Sequence, residues 1–359
     1  MTYKKIMKII FFVLLFFASL AVVFQSKLGF GLAQQMANRR MSFDQMSHLP
    51  DGLHVGLCGA GSPLPDDRRM GACTLVVAGK RLFVFDAGNG ASRNIGKMGF
   101  VQGQIEAIFL THFHSDHIDG LGELLMQRWV SGGNKSPVSI FGPSGVDKVA
   151  KGFTTAYAQD AIYRVAHHGE STLPKSGFGG LPKTFTPPEN GHVVLINDDD
   201  LKIVAFNVDH APVHPAVGYA IEYKGRKVVI SGDTRKSLSV IHEARDSDVL
   251  IHEAMNRDMV KLLENAAQTA NRPNVKKLMA DIVDYHASPD EAAEVAKLAK
   301  VKFLLLNHIA PPLPSFLLEK SFLGNASKIY DGTIKIGIDG DFISLPSHQK
   351  KIEVSHRFQ

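Results

Sequence analysis

The chain has 359 residues, of which 45% are hydrophobic and 21% charged, so it is long enough for one large two-layered domain or two small ones, and it shows no internal repeat or low-complexity stretch. Residues 1–33 contain four of the 40 basic residues and no acidic residue, while the rest of the chain carries 36 basic and 35 acidic side chains. Four of the five net positive charges therefore lie in the N-terminal segment, and the net charge is no argument for a nucleic-acid-binding surface.

The N-terminal segment has the pattern of an export signal. Lys4, Lys5 and Lys8 precede an uncharged run at 9–24, which is long for the core of a signal peptide and short for a membrane span. The lysines predict that the N-terminus stays cytoplasmic and that the body is exported. A cleaved signal peptide and an uncleaved inner-membrane anchor both remain open, with the anchor slightly favoured. We expect a periplasmic protein or one anchored in the inner membrane facing the periplasm.

A polar linker is predicted at 34–50, followed by the main domain at 51–347 and a C-terminal tail at 348–359. The two cysteines, Cys58 and Cys73, do not form a Cys-x-x-Cys motif, so a zinc–thiolate site is disfavoured. They could form one disulfide between neighbouring strands in an oxidising compartment. Two buried free thiols are the favoured interpretation.

Hydrophobic patterning predicts two successive groups of strands, each followed by helices. The first group comprises strands at 52–59, 73–79, 81–88 and 105–110, a helix at 121–130, a strand at 138–143 and a helix at 145–161. Residues 162–190 are rich in Gly, Pro and Lys and predict an irregular insertion. The second group comprises strands at 192–197, 201–208, 217–223, 227–232 and 249–254, helices at 256–270 and 289–300, and a strand at 303–308. This order predicts an α/β four-layer αβ/βα sandwich.

The segment Thr111–Gly120 is the densest group of potential metal ligands. It places two histidines, an aspartate and a third histidine within six positions at the end of a buried strand, namely His112, His114, Asp116 and His117. Alternate residues of the turn can face one ion while the last two turn toward a second. Imidazole and carboxylate ligands favour two zinc ions, with manganese or iron as alternatives.

Three later strands also end in a potential ligand, which argues against the alternative of solvated loop residues. These ligands are His210, Asp233 and His308. A single histidine at a strand end is more often a surface or core residue. Four such sites with complementary chemistry in one chain favour metal binding.

The order His-x-His-x-Asp-His, later His, Gly-Asp-Thr and later His resembles the metallo-β-lactamase superfamily over residues 52 to about 345. Within it the chain is most similar to the branch of ribonuclease Z and exported arylsulfatase-like and phosphodiesterase-like hydrolases. The segments that carry this resemblance are 59–71, 85–90, 250–254, 285–293 and 307–312.

The resemblance implies a role for each site residue. One metal would be held by His112, His114 and His210, and the second by Asp116, His117 and His308, with Asp233 bridging. Asp116 would also orient the attacking hydroxide and accept its proton. His286 would protonate the leaving group, and Glu253 would orient His286. Asp86 is expected to support the site from behind, and His214 has no matching role.

The resulting hypothesis is a binuclear-metal-dependent hydrolase that cleaves a small phosphodiester or sulfate ester by metal-bound hydroxide outside the cytoplasm. Ribonuclease Z carries a long arm that grips transfer RNA, inserted between the segments that match His210 and Asp233. Only 22 residues separate them here, so a nucleic acid substrate is possible but not favoured. A transfer-RNA 3′ processing endonuclease and a non-catalytic metal-stabilised binding protein remain as alternatives. An uncleaved N-terminal segment would make the inner membrane a partner.

Overall fold

The computed structural model describes residues 3–198 and 200–358 of the chain. It divides into two compact units, 1–44 and 45–359. The first unit is a single helix, α1 (Tyr3–Ser42), which continues through much of the predicted linker. Within the described residues, we find no helix with both the length and the apolar character needed to span a membrane. The cellular location stays a prediction.

The second unit contains the remaining strands and helices. The strands are β1 (Gly52–Gly59), β2 (Cys73–Ala78), β3 (Arg81–Phe85), β4 (Ile105–Phe109), β5 (Val138–Gly142), β6 (Gly180–Thr184), β7 (His192–Asp198), β8 (Leu201–Asn207), β9 (Val217–Tyr223), β10 (Arg226–Ile230), β11 (Val249–Met255), β12 (Phe303–Ala310), β13 (Thr333–Ile336), β14 (Asp341–Pro346) and β15 (Glu353–His356). The helices are α2 (Ala91–Lys97), α3 (Ser115–Ile118), α4 (Leu121–Gly132), α5 (Val146–Ala156), α6 (Ala158–His168), α7 (Leu238–Glu243), α8 (Arg257–Thr269), α9 (Pro273–Asp281), α10 (Pro289–Leu298), α11 (Glu319–Leu323) and α12 (Ala326–Ile329).

The strands of the described residues form two mixed sheets. One has the order β15-β14-β1-β2-β3-β4-β5-β6, and the other has the order β13-β12-β11-β10-β9-β8-β7. Apolar side chains from both sheets, among them Leu57, Phe109, Ile203 and Leu305, form one buried core between them. Helices α2, α4 and α5 pack on the outer face of the first sheet, and α7, α10 and α12 on that of the second. The predicted α/β sandwich is confirmed.

The segment at 145–168 differs from its sequence-based prediction. The predicted single helix is two, α5 and α6, which meet at Tyr157, and α6 extends into the predicted irregular insertion. Ala161 and Val165 of α6 pack against Met126 and Trp129 of α4, so tertiary contacts hold residues helical that composition assigned to a loop. The same insertion also contains the edge strand β6.

The C-terminal residues 348–359, predicted as a tail, contain strand β15. It pairs antiparallel with β14 at the edge of the larger sheet. Arg226 holds the residues before it by donating hydrogen bonds to the carbonyl oxygens of Gln349 and Lys351.

Cys58 and Cys73 form a disulfide, so the prediction of two free thiols was wrong. The two residues lie on the antiparallel neighbours β1 and β2, and the register of this pair shifts between Leu57 and Gly59. Their Cα atoms are 4.9 Å apart, a separation that a disulfide spans readily. Sequence spacing could not reveal this approach because it depends on the strand register.

Candidate metal centre

The predicted site residues meet at one edge of the two sheets. The turn at 112–117 follows β4, while His210 follows β8 and Asp233 follows β10. His308 lies near the end of β12, which runs parallel to β11 and β10. Because the carboxyl ends of parallel strands lie at the same edge, residues nearly 200 positions apart come together there.

The turn after β4 changes direction at His114. His114 is extended, with φ −60° and ψ 149°, and the one-turn helix α3 then begins at Ser115. This change directs His112 and His114 to one group of ligand atoms and Asp116 and His117 to another. Gly88 packs against the turn so closely that a Cβ atom there would lie 2.1 Å from the carbonyl oxygen of Asp116. Glycine is therefore needed at this point of the Asp-Ala-Gly segment.

Asp86 supports the turn from behind, as predicted. Its backbone is left-handed at φ 57°, and its carboxylate accepts hydrogen bonds of 2.8 Å from both the backbone amide and the hydroxyl of Thr111. It also lies 2.9 Å from Nδ1 of His117. This bond fixes the ring orientation and directs Nε2 of His117 into the site.

His308 owes its orientation to a bulge in β12. The pairing of β11 with β12 passes from Glu253↔Asn307 to Ala254↔Ile309, so His308 is the extra residue. Its backbone is left-handed at φ 47°. A bulge re-aims a side chain, and here it places Nε2 of His308 3.0 Å from Oδ2 of Asp116.

Asp233 lies at the centre of the cluster. Its Oδ2 atom is 3.4 Å from Nε2 of His117 and 3.4 Å from Nε2 of His308. It is also 3.8 Å from Nε2 of both His112 and His210. One carboxylate oxygen therefore faces four imidazole nitrogens, two from each predicted metal position.

The arrangement fits a pair of metal ions. The donor atoms form one group of His112, His114, His210 and Asp233 and another of Asp116, His117 and His308, each within 4.8 Å. Within the described residues, Nε2 of His117 and of His210 is buried without a hydrogen-bond partner, as expected for a metal-binding nitrogen. These two groups match the predicted sets, a third group of Asp233, His286 and His308 is equally close, and divalent metal binding follows from the cluster. The assignment of individual ligands stays a proposal.

Burial and neighbouring carboxylates shift the pKa values of the buried histidines in opposite directions. Burial lowers the pKa of His112 well below its ordinary value. Burial would also lower the pKa of His308, but the carboxylates of Asp233 and Asp116 raise it to about 9. The pKa of His117 is raised well above its ordinary value because Asp233, Asp86 and Asp116 outweigh burial. In the metal-free protein, the raised pKa of His308 therefore favours a proton at a residue that is a proposed metal ligand.

His286 and Glu253 form a buried pair beside the ligands. Nδ1 of His286 is 2.9 Å from Oε1 of Glu253, which also accepts a 2.7 Å hydrogen bond from the backbone amide of Thr234. His286 Nδ1 is 4.0 Å from Asp233 Oδ2. The interaction with Glu253 occupies Nδ1 and leaves Nε2 as the other ring nitrogen. His214, by contrast, is exposed and joins none of the ligand groups found among the described residues.

Sequence reasoning missed Asp339, which anchors the segment at 59–71. Its carboxylate accepts hydrogen bonds from the amides of Ala60 and Met70 at 2.9 and 2.8 Å and from the side chain of Asn94 at 2.7 Å. Burial raises its pKa to about 7. Its place in an Asp-Gly turn before β14 was the only signal that could have drawn attention to it.

Comparisons with known proteins agree with this geometry. The profile of the Metallo-beta-lactamase superfamily matches residues 66–272. A ribonuclease Z of Mycolicibacterium gilvum is 36% identical over 289 residues, covering 80% of this chain and 94% of that protein.

Two solved structures share the fold. Human tRNase Z, short form, is 24% identical with a TM-score of 0.54, and the match covers 82% of this chain and 99% of that one. A metallo-β-lactamase fold protein of Bacillus subtilis is 20% identical with a TM-score of 0.58, covering 81% and 99%. The resemblance predicted from the motifs is confirmed: the chain belongs to the metallo-β-lactamase superfamily, as a metal-dependent hydrolase similar to ribonuclease Z.

Proposed function

We propose that this protein hydrolyses a small phosphodiester with two divalent ions, most simply zinc, held by the seven ligands named above. The observation that supports this most is the position of Asp233 Oδ2 between histidines of both ligand groups, because a bridging carboxylate is how two cations are held side by side. When bound, the ions would supply positive charge that favours attack by water and stabilises the transition state.

The chain's own residues would handle the protons. Asp116 would orient the attacking water and accept its proton. Nε2 of His286 would donate a proton to the departing oxygen, while Glu253 holds the ring through Nδ1. A non-catalytic binding protein would have no use for this pair.

Phosphodiester chemistry is favoured over sulfate ester hydrolysis by the relatives. Their names, ribonuclease Z and tRNase Z, denote cleavage of RNA, whose backbone is a phosphodiester. Nothing comparable supports the arylsulfatase-like alternative, which we keep only as a substrate to test.

Transfer RNA processing is the second candidate, because the relatives are named ribonuclease Z and tRNase Z. The chain offers little to grip a large RNA, however. The described residues between His210 and Asp233 are a short loop and the hairpin of β9 and β10, which turns at Lys224–Gly225, so they leave no room for a long arm. The nearly neutral charge of residues 34–359 also contrasts with the basic surface that binding of a nucleic-acid backbone requires.

We further propose that the protein is exported. The lysine-flanked apolar run at the N-terminus supports this, and so does the Cys58–Cys73 disulfide, because such bonds persist in oxidising compartments. An export reporter fused after residue 50 tests the proposal. We expect reporter activity outside the cytoplasm, and activity confined to the cytoplasm would contradict it.

A substrate panel tests the reaction. The purified full chain, loaded with zinc or manganese, is offered bis-p-nitrophenyl phosphate, p-nitrophenyl sulfate and a precursor transfer RNA. We expect the phosphodiester to be cleaved fastest and the precursor to be left largely intact. Site-specific cleavage of the precursor would establish the second candidate instead. Cleavage of the sulfate alone would contradict both.

A further inference from the structure

The segment at 283–286, which carries His286, is held through its main chain by side chains from other elements. The carbonyl oxygen of Asp284 accepts a hydrogen bond from Nε of Arg235. The next carbonyl, that of Tyr285, lies 2.9 Å from Nδ1 of His210. The backbone before the proposed proton donor is thus tied to a proposed metal ligand and to an arginine.

Arg235 also holds the loop that carries His210. Its Nη2 donates to the carbonyl oxygen of Ala211 at 3.1 Å, and its Nη1 lies 3.4 Å from both carboxylate oxygens of Asp209. Its own backbone amide donates to the carbonyl oxygen of Asp209 at 2.8 Å. One guanidinium group therefore links both sides of the metal ligand His210 to the segment before His286.

Arg257 holds the same segment from the other side but makes a different connection. It donates to the carbonyl oxygens of Val283 at 3.2 Å and His286 at 3.0 Å, and to the carboxylate of Glu291 at 2.8 Å. Glu291 closes the capping box of α10. Arg257 therefore fastens the segment to the scaffold, whereas Arg235 fastens it to the metal centre.

We propose that Arg235 is a positioning residue that keeps the proton donor His286 in register with the metal ligands through the loop of His210. This inference rests on the proposed function and specifies what sets the geometry of its proton-transfer step. An Asp209–Arg235 ion pair alone would contribute little, because the two side chains are 53% and 40% exposed. What makes the contacts of Arg235 specific is that it donates hydrogen bonds to two carbonyl oxygens on different loops.

The planar guanidinium is suited to this role. It presents several donors in a fixed arrangement, and it reaches Asp284 through Nε and Ala211 through Nη2. A lysine has one compact ammonium group and cannot span both acceptors. We therefore expect Arg235→Lys to keep the charge but to lose most of the positioning.

The test uses aryl methyl phosphodiesters whose leaving phenols range from p-nitrophenol to phenol. A good leaving group needs no proton, so a misplaced donor should matter little for p-nitrophenol and much more for phenol. We expect Arg235→Lys and Arg235→Ala to bind the same amount of zinc as the wild type. On the phenol ester they should lose about tenfold more kcat than on the p-nitrophenol ester.

Two further measurements separate positioning from general destabilisation. In a His286→Ala background, Arg235→Ala should cause little additional loss, because residues that act through one another are not additive. Lys236→Ala removes an adjacent exposed ion pair with Glu294, and this control should change neither kcat nor its dependence on the leaving group.

Equal losses on all leaving groups, or an additive loss with His286→Ala, would overturn the proposal for Arg235 while the phosphodiesterase activity stands. A wild type that cleaves none of these esters would instead remove the proposed function, and this inference with it.

Discussion

The turn at 112–117 and the segment at 283–286 hold functional side chains in opposite ways. The turn brings four proposed ligands together through local spacing, and Asp86 and Gly88 fit closely behind it. The segment at 283–286 holds one functional side chain, and distant residues fix its place, with Glu253 binding the ring and arginines binding the backbone. Metal binding should therefore depend on the first region and proton transfer on the second. Mutations can separate the two.

The largest effect is expected at the residue shared by both ligand groups. Asp233→Ala removes the oxygen that faces four imidazole nitrogens, so both metal binding and turnover should be lost. Elemental analysis and phosphodiester hydrolysis measure the two losses. Asp160→Ala, which removes an exposed carboxylate of α6, is the control and should change neither. Full metal content in Asp233→Ala would contradict the bridging role.

His286→Ala should separate proton transfer from metal binding. Because the proposed ligands are untouched, the variant should keep its metal, while kcat falls by a factor of about 100 or more from loss of the proton donor. The exposed His214→Ala is the matched control. If His286→Ala retained full activity, His286 would have no part in the mechanism.

The difference between the regions also explains what could be predicted from sequence. Apolar runs that end in His or Asp predicted the fold and the seven proposed ligands, because such runs are local signals in the sequence. The bulge at His308, the Cys58–Cys73 disulfide and the contacts of Arg235 depend on the pairing of distant segments. Helix α9 was missed although Pro273 stands at its first turn, since its exposed residues carry little hydrophobic pattern.

A smaller effect is expected at Asp86, which lies behind the turn at 112–117. Asp86→Asn keeps the side-chain shape and tolerates the left-handed backbone, but it removes the charge that holds Nδ1 of His117. Metal affinity should fall by about 10- to 100-fold, as for other residues that orient a ligand. Competition with a chromogenic chelator measures the change. An unchanged affinity would mean that the turn holds its ligands without Asp86.

The smallest expected effect is the release of protons when a metal binds. In the metal-free protein the pKa of His308 is raised to about 9, so His308 is protonated at pH 7.5 and must lose its proton to bind a metal. Zinc binding at that pH should release at least about one proton, which calorimetry in buffers of different ionisation enthalpy detects. Metal affinity should rise with pH toward 9. Binding without proton release would contradict the protonated state.

The raised pKa of His308 also predicts the direction in which the stability of the metal-free protein changes with pH. A histidine whose pKa is raised on folding stabilises the metal-free protein fully below its unfolded pKa of about 6.5, and that contribution is lost as the pH rises through about 9. Thermal unfolding of the metal-free chain should therefore show this contribution declining between pH 6.5 and 9, whereas bound metal should offset the decline.

The most direct test of the metal centre is the number of divalent ions bound per chain in active protein, measured by elemental analysis before and after chelation. We expect two ions per chain, loss of hydrolysis when they are removed and recovery when zinc or manganese is restored. Full hydrolytic activity in a chain that holds no metal would contradict the metal centre and the function built on it.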